Sequence, residues 1–86
     1  MKIMQAEIDD IPQLYELQLL AFESEAEMIG SREVPALQET QQEYKNDFTN
    51  WYVLKIKNDL HKIIGSIRYK EKDAIIEIGR LMVHPD

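Results

Sequence analysis

Helical spacing of apolar residues dominates the first half of the chain, after a short extended start. Residues 2–7 predict a strand, with Ile3 and Met4 on opposite faces. Asp9-Asp10-Ile11-Pro12 resembles a helix start, because aspartate caps helices and proline fits their first turn. A stripe at helical spacing then predicts a helix to about Ala26; it consists of Ile11, Leu14, Tyr15, Gln18, Ala21 and Phe22.

The pattern is interrupted between residues 23 and 34, where glutamates surround Gly30-Ser31, and this predicts a fraying helix end and a loop. A second, weaker helix is predicted from Pro35 to about Phe48, with Leu37, Tyr44 and Phe48 as its thin apolar line. A helix with so narrow an apolar stripe is expected to pack loosely.

The second half of the chain predicts three strands, over residues 51–57, 62–70 and 74–83. Asn58-Asp59 and Glu71-Lys72-Asp73 are the predicted turns between them. The fold class is therefore α+β in one domain, residues 1–86. An N-terminal strand and two helices precede a three-stranded antiparallel meander, giving the order β-α-α-β-β-β.

The last strand is the most hydrophobic stretch, with AIIEIGRLMVHP at residues 74–85. Apolar residues on both faces predict a strand in the middle of a sheet, covered on each side. Because the sequence stops one residue later, we expect one edge of this strand to lack a later strand of the chain to pair with.

Composition narrows the class of protein. The 86 residues are 44% hydrophobic and 30% charged, which is typical of a globular domain. A formal net charge of −6 argues against nucleic-acid binding, which relies on neutralising phosphates with Lys and Arg. No apolar run is long enough to span a membrane, and no signal peptide is recognisable, so a soluble cytoplasmic protein is predicted. The chain has no cysteine, and His61 and His84 lack a second ligand at metal spacing, so no metal site is predicted.

The exit from the last strand carries a resemblance to a known family. Arg80 to Asp86 read RLMVHPD, which resembles the strand and exit that precede the acetyl-coenzyme A loop of the GNAT N-acetyltransferases. The segment IIGSI at residues 63–67 is similar to the third strand of that family. The resemblance implies the first half of a GNAT fold and transfer of acetyl from acetyl-CoA to a primary amine of a small molecule or protein.

The resemblance also implies site residues. In the family's fourth strand, the backbone is splayed by a bulge and holds the pantetheine arm and the thioester carbonyl, which here corresponds to Leu81, Met82 and Val83. The simpler alternative, favoured in the absence of the resemblance, is that these residues form a core strand whose backbone groups are all paired in a sheet. The family's glycine-rich phosphate loop would follow Asp86 and is not within the 86 residues. Tight binding of acetyl-CoA by this chain is therefore not expected, and its own enzymatic activity is left open.

Glu77 is the candidate general base. It is the one carboxylate within the apolar strand, and an apolar setting disfavours its charged form, which suits it to accept a proton. It lies on the same strand face as Val83 if no bulge intervenes. The alternative is that Glu77 faces solvent, or pairs with Arg68 or Arg80 across the sheet.

The acceptor amine is not specified by the sequence. Glu23, Glu25 and Glu27 lie where GNAT proteins often line the acceptor groove, but a solvated loop is the simpler explanation of these residues. Two further interpretations remain. One is a non-catalytic module that forms a homodimer through its exposed terminal strand. The other is an unrelated small α+β domain in which the likeness to the family is a coincidence.

Overall fold

Four antiparallel strands form a single sheet in the computed structural model, which describes residues 1–31 and 33–85. Their spatial order follows the chain: β1 (Lys2–Gln5), β2 (Tyr52–Lys57), β3 (Ile63–Lys72) and β4 (Ile75–Val83). A 3-10 turn (Ile8–Asp10) leads into three helices, α1 (Ile11–Ile29), α2 (Pro35–Gln38) and α3 (Gln41–Phe48). The predicted α+β class is confirmed, and the N-terminal strand joins the meander as a fourth strand beside β2.

The hydrophobic core lies between α1 and one face of the sheet. Ile11, Leu14 and Leu17 supply the helix side of this core and are at most 3% exposed. The sheet contributes Val53 from β2 and Met82 from β4 to the same cluster. We call this side of the sheet the covered face. It is the side from which α1 excludes water, and its burial is the main source of stability.

The more polar side of β2 is the covered one. The sequence predicts Tyr52, Leu54 and Ile56 on one side of this strand and Val53, Lys55 and Lys57 on the other. That alternation is present, but Lys55 is 6% exposed whereas Tyr52 is 59% exposed. Hydrophobicity alone does not explain this orientation, because a buried charge is tolerated only when a partner compensates it.

Asp10 is that partner. Its Oδ2 accepts a hydrogen bond from Lys55 Nζ at 2.6 Å, and the two side chains are 13% and 8% exposed. Burial works to raise the pKa of Asp10, but the hydrogen bond and charge of Lys55 outweigh it, so the pKa lies below its ordinary 3.8. The resulting stabilisation is fully present above the ordinary pKa and is lost as the pH falls through the lowered one.

The first predicted helix differs from the observed one at its C-terminal end. The first continues past Ala26 to Ile29 and ends at Gly30, whose φ of +73° is readily adopted by glycine. The amides of Gly30 and Ser31 both donate to the carbonyl of Ala26, closing the helix end. Glu25 and Glu27 therefore lie in the last turns of a helix and not in a loop.

The predicted second helix is divided into α2 and α3 at Glu39 and Thr40. Glu39 is extended, with ψ of 134°, and Thr40 is the N-cap of α3. The Thr40 hydroxyl accepts from the amide of Glu43, and the Glu43 carboxylate accepts from the amide of Thr40. The sequence T-x-x-E is the signature of this capping box. It marks the break that the apolar pattern did not reveal.

The prediction that the terminal strand lies in the middle of a sheet, covered on both sides, is wrong for this chain. Among the described residues, β4 is an edge strand that pairs only with β3. Its side chains at Ile75, Ile76 and Ile78 are 61–68% exposed. Among the described residues, α1 and its neighbouring helices pack on one face of the sheet. The opposite face is left uncovered.

A tight two-residue turn joins β3 to β4. It consists of Asp73 and Ala74, with φ of 53° and 64°, between the paired residues Lys72 and Ile75. The turn predicted at Glu71-Lys72-Asp73 is therefore displaced, because β3 extends through Lys72. Two consecutive residues at positive φ define the hairpin turn that favours Asn-Gly or Asp-Gly. Alanine at the second position is strained by its Cβ.

Replacing Ala74 with Gly should therefore stabilise the protein by about 1 kcal/mol, because glycine adopts positive φ without a Cβ clash. The free energy of unfolding by urea, followed by circular dichroism, measures the effect. Ala21→Gly in the middle of α1 is the matched control and should destabilise by about 1 kcal/mol. Equal losses of stability in both variants would contradict the strained turn.

Candidate functional site on the terminal strand

A β-bulge lies in the middle of β4, at Gly79. Arg68 of β3 is paired with Arg80, whereas the next residue, Tyr69, is paired with Ile78, so Gly79 is the extra residue. A Cβ at Gly79 would lie 2.5 Å from Cη2 of Trp51 and 2.6 Å from its Cζ3. The indole ring therefore packs directly on the bulge. Glycine is required there because a larger residue leaves no room for the ring.

The bulge determines how the residues after it are oriented. Met82 is 3% exposed in the core, and Arg80 contacts α1, so these two side chains lie on the covered face. Leu81 and Val83 lie on the opposite face and are 61% and 62% exposed. The candidate cofactor-binding residues thus divide between the two faces of the sheet.

The backbone of Leu81 and Val83 is directed outward. The amide of His84 donates to the carbonyl of Ile64 at 2.8 Å, which fixes the alternation of the β3–β4 ladder. In an antiparallel pair, every second residue turns its N–H and C=O away from the neighbouring strand. Met82 therefore pairs with Ser66, while the polar groups of Leu81 and Val83 point to the outer edge of β4.

Glu77 lies before the bulge and is exposed to solvent. It is paired in register with Lys70, and it lies on the same side of the sheet as Met82. A face shared with Val83 was expected only without an intervening bulge, and the extra residue at Gly79 reverses the alternation, so Glu77 and Val83 lie on opposite faces. Its neighbours Ile76 and Ile78 are exposed as well, so the apolar setting expected around this carboxylate is not formed by the described residues.

The uncovered side of the sheet, which we call the open face, is strongly apolar. Tyr52 and Tyr69 stack on it with ring centroids 5.4 Å apart. Beside Tyr69 is a shallow groove of about 350 Å³. Single exposed apolar residues are ordinary on protein surfaces, but a contiguous patch marks an interaction site. The apolar side chains of the open face are Ile3, Tyr52, Leu54, Ile56, Ile67, Tyr69, Ile76, Ile78, Leu81 and Val83.

A buried polar network joins β4 to the helices, and the sequence did not reveal it. Arg80 Nη1 donates to Gln18 Oε1 at 2.8 Å and lies 3.5 Å from both carboxylate oxygens of Glu39. Gln18 is fully buried and donates to the carbonyl of Ala36. Tyr15 donates to the carbonyl of Glu39 at 2.6 Å. The available signal was a glutamine within an apolar helical stripe and an arginine within an apolar strand, each of which needs a buried partner.

Neither of the two arginines considered as partners for Glu77 is directed to it. Arg80 lies with Glu39, and Arg68 lies 3.8 Å from Asp47. Both arginines are directed to carboxylates on the helix side of the molecule. The placement of Glu77 corresponds to the solvent-facing alternative.

The remaining candidate residues are dispersed. His61 lies in the β2–β3 turn, and His84 lines a groove beside α1 with Glu16 and Lys62. Among residues 1–31 and 33–85, no group of three His, Asp or Glu side chains is placed to hold a metal ion. Asp86, the last residue of the family-like exit, lies outside the described residues. Over the same ranges, none of the helices combines the length and apolarity that crossing a bilayer requires.

No protein-family model matches this chain, and no curated protein matches it in sequence.

Gly79→Ala tests the contact between the bulge and Trp51. The added methyl overlaps the indole ring, so we expect a loss of about 1–3 kcal/mol in the free energy of unfolding. In a Trp51→Phe background the contacted ring atoms are absent, and the same substitution should cost less. Urea unfolding followed by circular dichroism gives both values. Equal costs in the two backgrounds would show that the ring does not rest on the bulge.

Proposed function

We propose that the chain is the N-terminal half of a GNAT-type N-acetyltransferase domain that acts in the cytoplasm. In this proposal, acetyl passes from acetyl-CoA to a primary amine of a small molecule or protein. The proposal begins from the family-like exit at Arg80 to Pro85 and from the order of strands and helices.

The observation that carries the proposal is the polar backbone at the outer edge of β4. A bulge at Gly79 is followed at once by Leu81 and Val83, whose N–H and C=O groups point away from β3. An acyl thioester carrier needs backbone donors and acceptors that are not consumed by a sheet, and a bulge next to an open edge provides them. The resemblance places the pantetheine arm and the thioester carbonyl at these residues.

The open face supports the same proposal. Its exposed apolar side chains, such as Ile78 and Leu81, have no cover among the described residues. A sheet with helices on both faces would bury them. We propose that sequence outside these 86 residues supplies the second layer, together with the phosphate loop that the resemblance implies. Tight binding of acetyl-CoA by the 86 residues alone is not expected.

Glu77 is the proposed general base of the complete enzyme. It lies two residues before the bulge and is exposed to solvent, on the side of the sheet that faces the helices. A carboxylate in that position accepts a proton from an ammonium group directly or through water.

The test uses the chain together with all sequence that its gene encodes beyond codon 86. We expect acetyl-CoA-dependent acetylation of primary amines, measured as release of the coenzyme A thiol. Glu77→Gln should lower kcat about 100-fold, the range expected for loss of a general base. Asp59→Asn, a charge change at an exposed residue of the β2–β3 turn, is the control. Unchanged turnover in Glu77→Gln would contradict the general-base role of this residue. If the unmutated protein transfers no acetyl group to any primary amine, the proposed function itself is wrong.

The open edge also favours a second candidate, a non-catalytic module that dimerises through β4. An unpaired apolar edge strand recruits another strand. If this candidate is correct, sedimentation velocity should show a dimer at micromolar concentration. Leu81→Lys should dissociate the dimer, because it places a charge at the interface. Leu60→Lys, in the exposed β2–β3 turn, should leave the dimer intact. A monomer throughout would exclude this candidate.

A further inference from the structure

A groove between α1 and the start of β3, which we call the α1 groove, has no part in the proposed function. Its volume is about 300 Å³, at the lower end of the range for small-molecule sites. Its apolar lining consists of Leu17, Leu20 and Ile63. Leu17 and Ile63 are buried in the core, which fixes the floor of the groove. Leu20 is 42% exposed and leaves apolar surface available to a ligand.

Polar side chains from three separate elements line the same groove. Gln13 and Glu16 belong to α1, Lys62 immediately precedes β3, and His84 immediately follows β4. The backbone holds two of these positions. The amide of Lys62 donates to Oδ1 of Asn58 at 3.0 Å, and the amide of His84 donates to the β3 backbone at 2.8 Å. The groove is therefore a place where a polar lining and an apolar floor converge.

The two opposite charges of the groove do not neutralise each other. Glu16 and Lys62 line it together and are both exposed. Within the described part of the chain, neither side chain forms an ion pair or a hydrogen bond. A carboxylate and an ammonium group are thus both available to a molecule that enters the groove. Hydrogen bonds in which one group is charged are the strong ones in proteins.

This lining selects a class of ligand. A ligand that uses the whole groove presents a cation to Glu16, an anion to Lys62 and an apolar group to Leu20. An amino acid in its zwitterionic form with an aliphatic side chain meets all three requirements. A simple amine or a simple organic acid meets only one of the two charges. The amide of Gln13 can donate to one end of the amino acid or accept from the other.

We propose that the α1 groove binds a zwitterionic amino acid with an aliphatic side chain. The ammonium group of the ligand donates to the Glu16 carboxylate, and its carboxylate accepts from Lys62 Nζ. Its side chain packs against Leu20, over the floor formed by Leu17 and Ile63. The site is separate from the outer edge of β4. It does not depend on acetyl transfer, because binding alone defines it.

The test titrates the 86-residue chain with leucine at constant ionic strength, followed by ¹H–¹³C methyl spectra and calorimetry. The methyl resonances of Leu20 and Ile63 should shift with saturation, whereas those of Leu54 on the open face should not move. Leucine amide lacks the carboxylate, and N-acetyl-leucine lacks the ammonium group. Each should bind about tenfold more weakly or worse, as expected for loss of a hydrogen bond between charged groups.

Variants on the two sides of the groove assign the two ends of the ligand. Glu16→Gln and Lys62→Gln should each weaken leucine binding about tenfold. Glu16→Gln should further weaken leucine amide but not N-acetyl-leucine, and Lys62→Gln should do the reverse. Glu25→Gln, an exposed charge change on the same helix outside the groove, is the matched control and should leave binding unchanged.

Three results would overturn the proposal. The first is the absence of a saturable shift with millimolar leucine. The second is equal binding of leucine, leucine amide and N-acetyl-leucine, which would show that the charges are not read. The third is a saturable shift at Leu54 in place of Leu20 and Ile63, which would put the ligand on the open face.

Discussion

The ion pair between Asp10 and Lys55 sets the orientation on which the rest of the structure depends. Lys55 lies in the middle of β2, and its Nζ is buried 2.6 Å from Asp10 Oδ2. The side of β2 that carries Lys55 therefore faces the helices. Because strand side chains alternate, this choice turns Leu54 and Ile56 to the opposite side. Residues paired across neighbouring strands lie on the same face of the sheet. Ser66 and Met82 are therefore on the covered face with Lys55, whereas Ile67 and Leu81 are on the open face.

The covered face therefore contains several polar groups, and each needs a partner from the helices or the sheet. Ser66 donates to the carbonyl of Leu54, and Arg80 is held by Gln18 and Glu39. Arg68 is the exception, since its Nε is unsatisfied. A buried polar group without a partner costs free energy. Tyr44 in the same region has its pKa raised to about 12 by burial, and it remains protonated at neutral pH.

On the covered face, polar side chains are buried, whereas on the open face apolar side chains are exposed. At the outer edge of β4, these exposed side chains lie next to backbone groups that do not pair with β3. The bulge at Gly79 connects the two sides of the molecule. The Trp51 ring packs on Gly79 on the covered face. The extra residue also shifts the alternation of side chains, so the side chains of Leu81 and Val83 lie on the open face and their N–H and C=O groups point away from β3. The buried polar network of Arg80 and the proposed acetyl-CoA contacts thus lie on opposite sides of one strand.

The α+β class and the order of elements follow from the sequence pattern, because helix and strand periodicities are local properties of the chain. It also placed the turn at Asn58-Asp59. A closer reading of T-x-x-E at Thr40 could have located the break between α2 and α3. The edge position of β4 and the side of the sheet facing the helices were decided only by tertiary structure, since both depend on contacts between distant residues. The same holds for the bulge that separates Glu77 from Val83, because a register shift is a property of two paired strands and not of either sequence alone.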